Sequence, residues 1–160
     1  MTTGDMRHFI RKKITEPILS QLRQGASPEK LAWSVSLGGA LGLFPIVGST
    51  TALCAAAGAI FRLNHVAMQT MNYVVYGAHL ALIPVFIRLG ERILGAAPIV
   101  IDLVLMKEQF LSDPAAFFRN FGLAAWHGIV AWSVLIPLPT WIAAKVLQKI
   151  FKKLGNLKAN

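Results

Sequence analysis

The feature that most constrains this chain is residues 31–61, LAWSVSLGGALGLFPIVGSTTALCAAAGAIF, 31 residues without an Asp, Glu, Lys or Arg. An uncharged apolar run of this kind is first read as a membrane segment, which needs about 20 such residues. As one helix it would be roughly 46 Å long at the usual rise, against a hydrocarbon core of about 30 Å. Pro45 and Gly48, followed by Ser49, Thr50 and Thr51, lie in its middle. Proline removes a backbone donor and clashes with the preceding turn, and glycine lets the chain reverse. The segment therefore reads as two short helices meeting at 44–48, each too short to cross. Such a re-entrant or short helical hairpin survives in a membrane only where protein or a watery cavity covers it.

Composition agrees. Of 160 residues, 55% are hydrophobic and 14% charged, where a soluble domain carries about a quarter charged. The length suits one compact unit. The net charge of +9 comes from basic residues that flank apolar runs, so anionic headgroups are expected as partners and nucleic acid is not. The single cysteine, Cys54, is a small packing residue inside the hairpin. Residues 1–13 lack the apolar stretch of a secretory signal, so the first membrane element is expected to do the targeting.

Residues 6–24 place Met6, Phe9, Ile10, Ile14, Ile18 and Leu22 three or four apart, with Arg7, Arg11 and Lys12 largely on another face. This predicts a basic amphipathic helix suited to a membrane surface or a partner's groove, broken near Pro17. Gly25 then suits a helix end, and Ser27-Pro28-Glu29 a helix start with Ser27 as cap. Along the first arm Ser34, Gly38 and Gly42 recur every four residues; along the second, Thr51, Ala55 and Ala59, and also Cys54 and Gly58. Small residues at this spacing let backbones approach closely, and the two arms are expected to pack on each other.

At Arg62-Leu63-Asn64 these elements acquire a likeness. Pro28-Glu29-Lys30, the run from Gly38 to Gly42, Pro45-Ile46-Val47-Gly48, Arg62-Leu63-Asn64 and Leu89-Gly90 together resemble a widespread bacterial membrane family, number 2062 among the domains of unknown function. The likeness covers roughly residues 27–95. It departs at Asn72-Tyr73, where the family tends to show Asn-Pro, so the proline that would break the chain there is missing. The resemblance implies a polytopic inner-membrane protein with no established reaction. Family members fused to lipid-linked glycosyltransferases imply work near polyprenyl or phospholipid carriers.

Residues 63–87 form a second uncharged run, long enough to span with some tilt. Its polar residues His65, Gln69, Asn72, Tyr76 and His79 are spaced four, three, four and three apart, and Arg62 leads into the same side. On one helix they form a stripe that must face a bundle interior or a cavity, since lipid would not tolerate it. The stripe is equally suited to structural hydrogen bonds between helices and to ligand binding. Pro84 is expected to kink the far end. Residues 88–119 are mixed, with an interfacial helix expected near 99–106 and a helix start at Ser112-Asp113-Pro114. The third uncharged run, residues 120–144, reads as another span, with Trp126, Trp132 and Trp141 at interfaces, His127 as a packing residue, and Pro137 and Pro139 bending its end. Lys145, Lys149, Lys152, Lys153 and Lys158 form a basic tail.

The expected architecture is thus an all-α integral membrane protein: an amphipathic basic segment (1–26), a membrane core with hairpin and polar-striped helix (27–95), an interfacial segment (96–119), and a membrane helix with basic tail (120–160). Of the 16 Lys and Arg residues, 12 lie within 1–30, at Arg62 or in the tail, and the remaining four lie in 88–119. Because basic residues favour the cytosolic side, both termini are placed in the cytoplasm of a bacterial inner membrane. No GxSxG, HExxH, CxxC or Walker loop occurs, so neither an enzyme, a metal site nor a cofactor is expected. Glu91, Asp102, Glu108 and Asp113 read as solvated loop charge. The function expected is binding or translocation of an anionic lipid such as a polyprenyl phosphate or phospholipid, by a homo-oligomer. Its ligand site combines Pro45, Gly48, Ser49 and Thr50 with Arg62, His65, Gln69, Asn72, Tyr76 and His79. The alternative is a non-catalytic scaffold or accessory subunit of a larger membrane complex.

Overall fold

A computed structural model describes residues 27–99 and 103–156, and among these the chain is all α-helix. The seven helices are α1 (Pro28–Gly42), α2 (Thr50–Ile60), α3 (His65–Val74), α4 (Tyr76–Leu94), α5 (Leu103–Ser112), α6 (Pro114–Leu135) and α7 (Pro137–Asn156). The N-terminal amphipathic helix and Lys158 lie outside the described residues.

The hairpin forms as its residues dictate. α1 starts at Pro28 with Glu29 in its first turn, although Ser27 makes no side-chain cap. It ends at Gly42, and residues 43–49 reverse the chain through Gly48, whose φ of +85° is open to glycine at little cost. With 15 and 11 residues, the two arms are about 22 and 16 Å long. At the far end of α2 the chain turns again. Arg62 N donates to Ala59 O at 3.3 Å and Leu63 N to Gly58 O at 2.9 Å, the paired bonds of a Schellman ending. Asn64 then starts α3: its side chain accepts from Ala67 N at 2.9 Å, and its own N donates to Ser34 Oγ on α1 at 2.8 Å.

The expectation that the arms' small faces meet each other holds in part: Cys54 Sγ on α2 donates to Gly38 O on α1 at 3.9 Å. α1 packs chiefly on α3 and α7, and less on α2. A Cβ on Gly38 would lie 2.5 Å from Met68 O, and one on Gly42 2.6 Å from Val75 Cγ2, so the glycines of α1 receive α3. Cys54 and Gly58 of α2 are buried as expected, but Thr51, Ala55 and Ala59 are exposed. The core here gathers Leu31, Ala32, Val35, Ala67 and Phe151.

The second run is not one spanning helix. It breaks between α3 and α4 at Val75 with a 65° bend, although no proline stands there. Gly42 offers the reason: without a side chain it lets the corner at Asn72 and Val75 seat against the end of α1. Pro84, by contrast, lies inside the continuous α4. The third run behaves as its prolines predict, α6 and α7 meeting at Ile136 with a 44° bend. Asp113 caps α6 by accepting from Ala116 N at 2.9 Å. The helix expected near 99–106 is described from Leu103 and extends to Ser112.

α4 packs against α6. A Cβ on Gly90 would overlap the carbonyl oxygen of His127, whereas one on Gly77, in the first turn of the same helix, would meet nothing within 4 Å. Gly90→Ala is therefore expected to lose more than about 2 kcal/mol of stability through overpacking against backbone. Gly77→Ala should leave stability unchanged or raise it by up to about 1 kcal/mol. Thermal unfolding of the purified variants compares the two.

Candidate functional site

The candidate site is built on the antiparallel pair α2 and α3, which the Arg62–Asn64 corner joins. Its polar residues form a graded track. Arg62 is exposed at the corner, with a φ of +51° that side chains rarely adopt. His65 is also exposed and lies against Gly58, where a Cβ would stand 2.7 Å from the imidazole. Gln69 is half-buried and donates through Nε2 to Thr51 O at 3.1 Å. Asn72 is 2% exposed. Its Nδ2 donates to Thr51 Oγ1 at 3.3 Å and to Gln69 Oε1 at 3.2 Å, while its Oδ1 has no partner. The track thus leads from a strained basic corner to a buried amide at the hairpin tip.

The tip is fixed from the other side by α6. Trp132 Nε1 donates to Ala40 O at 3.0 Å, and Phe44 packs edge-on against the Trp132 ring at 5.2 Å between centroids. Pro45 is buried against Gly128, where a Cβ would come within 3.1 Å of its Cβ. Ser49 turns its hydroxyl back to Ile46 O at 2.8 Å and does not cap α2. Thr50 is buried and Gly48 exposed. Helix starts carry unsatisfied N–H groups and a partial positive charge, and α2 presents its own beside Asn72.

The stripe expected on one helix is therefore divided. His65, Gln69 and Asn72 stay on α3, and the 65° bend carries Tyr76 and His79 away on α4. Tyr76 is exposed and stacks on His79 with centroids 5.9 Å apart. His79 is 1% exposed with neither ring nitrogen hydrogen-bonded.

One further polar residue was misplaced by sequence reasoning. Glu91, expected as solvated loop charge, is 3% exposed on α4. It accepts from Arg88 Nη1 at 2.9 Å and from Ile99 N at 2.7 Å. His127 is buried at the crossing with Nδ1 unpartnered. The available signal was Gly90 immediately before Glu91, since a glycine inside a helix often marks a close crossing. Of the three tryptophans expected at interfaces, Trp126 and Trp141 are exposed, and Trp132 is half-buried and donates to Ala40 O. Glu108 and Asp113 are exposed as expected, Asp102 lies outside the described residues, and among the described residues no His, Cys, Asp and Glu group is arranged to hold a metal.

A helical body with broken, apolar helices around buried amide and imidazole groups defines the class. Among the described residues no single helix is long and apolar enough to cross a membrane; two bent pairs, α3 with α4 and α6 with α7, reach that length and apolarity together. The chain belongs to the family described as "uncharacterized protein conserved in bacteria", number 2062 among the domains of unknown function, whose model matches residues 11–155. No curated protein and no solved structure matches it.

The junction of Asn72 and Thr51 is testable directly. Thr51→Val and Asn72→Ala are each expected to destabilise, and their double-mutant cycle should give a coupling of about 1 kcal/mol. A coupling of zero by thermal or denaturant unfolding would show that the two side chains do not interact.

Proposed function

We propose that this chain is a non-catalytic protein of the bacterial inner membrane that binds an anionic lipid headgroup, of a polyprenyl phosphate or a phospholipid, and moves it along the α2–α3 track. The observation that carries the reading is the gradient of burial from Arg62 through His65 and Gln69 to Asn72, ending beside an uncapped helix start. An anion attracted to an arginine at the membrane surface meets successive hydrogen-bond donors and then the positive end of α2. Tyr76 and His79 lie beyond the corner and would take part in a later stage of passage.

Arg62 supports this independently. Its left-handed backbone suits glycine, and an L side chain there costs about 1–2 kcal/mol. A residue that the fold disfavours, with its guanidinium exposed, is better explained by what it attracts than by what it stabilises. A lipid setting is supported by the apolar exterior: Ile60, Phe61, Tyr73, Val134 and Leu138 are all more than half exposed, far more apolar surface than a soluble monomer usually shows. The basic termini and Arg62 then face the cytosol and the 88–119 segment faces the opposite side.

A scaffold reading is favoured by one separate observation, the exposed Thr51, Ala55 and Ala59 face of α2, which offers a second membrane helix a close approach. Stoichiometric co-purification with another membrane protein would support that reading, and lipid retained by a pure homo-oligomer would support the first.

Arg62→Gly separates fold from function. It is expected to leave stability unchanged or raise it by up to about 1 kcal/mol, while lowering retention of phosphatidylglycerol or polyprenyl phosphate in native mass spectrometry by roughly tenfold. Asn72→Ala should insert in the membrane and lose the same lipid. Wild-type lipid retention by both variants would overturn the proposal.

A further inference from the structure

α7 offers a surface that the track does not use. It packs on α1 through Ala144, Leu147 and Phe151, and Phe151 joins Leu31, Ala32 and Val35 in the core. Two other rows face outward. Lys145, Lys149 and Lys152, spaced four and three apart, are exposed, and Trp141 heads the same row with Lys145 Nζ 5.9 Å from its ring centroid. Beside them Ile142, Val146 and Ile150 recur every four residues, each at least 45% exposed. A helix that crosses a bilayer separates polar from apolar residues along its axis, whereas one at the interface separates them around it. Here each turn from Ile142 onward carries one residue of each kind.

We propose that this outward face of α7 binds the anionic leaflet of the membrane, with its lysines on lipid phosphates and Ile142, Val146 and Ile150 among the acyl chains. This role rests on the membrane setting proposed above and not on the α2–α3 track. A lysine can lay its methylenes along apolar surface while its ammonium group reaches a phosphate, and each lysine near an anionic leaflet adds to the attraction. Residues 137–156 contain no Asp or Glu, and no carboxylate among the described residues pairs with these lysines. Their charge is therefore available to lipid.

The bend at Ile136 sets the tilt of this face. α7 leaves the line of α6 by 44°, so with α6 along the bilayer normal the stretch from Lys145 to Lys152 descends about 8 Å. The headgroup layer on one side is about 5–8 Å thick, which brings all three ammonium groups within reach of it. A second copy of the same face does not suit these lysines, because like charges would meet. A nucleic acid does not suit the face either, since an apolar residue at every turn gives a phosphate backbone nothing to bind.

The probe is vesicle lipid brominated in its acyl chains, either phosphatidylglycerol or phosphatidylcholine, which quenches bimane on contact. Bimane is attached to Ile150→Cys in the full-length protein carrying Cys54→Ala. At equal mole fraction, brominated phosphatidylglycerol is expected to compete for this face about threefold or more better than the choline lipid. The preference should fall toward one when Lys145→Gln, Lys149→Gln and Lys152→Gln are combined. It should fall likewise with all lysines intact at 1 M salt, where the screening length is about 3 Å, so the salt arm decides if the triple variant does not fold. Arg62→Gly should leave the preference unchanged, so that loss of the track and loss of this surface are read separately. Equal quenching by the two lipids, or a preference that survives both the substitutions and the salt, would overturn the proposal. Quenching by neither lipid would also overturn it, by showing that protein and not lipid covers the face.

Discussion

A helix that stops inside an apolar body leaves carbonyl groups that water cannot reach, and each must find a donor or remain costly. The structure depends on how this chain meets that constraint at residues 43–49. Trp132 Nε1 donates to Ala40 O at the end of α1, Phe44 lies against the same indole, and Pro45 fills the space that Gly128 leaves on α6. The turn is thereby docked on a helix more than 80 residues away in sequence. Once the tip is held, α2 must return along α3, α3 seats on the glycines of α1, and the Val75 corner falls against Gly42. The hairpin, the polar track and the sharp bend are consequences of one anchored reversal.

The proposed function rests on the same geometry. The reversal sets the uncapped start of α2 beside the buried Asn72, and the opposite end of α2, about 16 Å away, carries the Arg62 corner. Under the proposed function, a ligand with a compact negative charge meets both ends. The α4–α6 crossing, which buries Glu91 and His127, lies on helices continuous with the track, since α4 follows α3 across a single residue.

Much of this was legible in the residues because the signals were local. Pro28, Gly48, Asp113 and Pro137 placed helix starts and breaks through backbone chemistry that neighbours cannot easily override. The family likeness rested on such positions, and Asn64 now has a physical role, capping α3 while tying it to Ser34. What was not legible depended on partners far along the chain. The break at Val75 carries no proline or glycine of its own and comes from Gly42. Glu91 looked solvated because its own segment is rich in charge, and it is buried because Gly90 brings α6 against it. The small-residue faces announced close approach correctly but could not name the helix that approaches.

The central claim is that the glycine-rich segment doubles back, so that the Arg62 corner lies on the same membrane face as the start of α1. A cysteine at the exposed Phe61, introduced with the native Cys54 replaced by alanine, reports this in intact cells. The account predicts that a membrane-impermeant maleimide labels Phe61→Cys only after the inner membrane is permeabilised. Labelling of that cysteine from the periplasm in intact spheroplasts would contradict it.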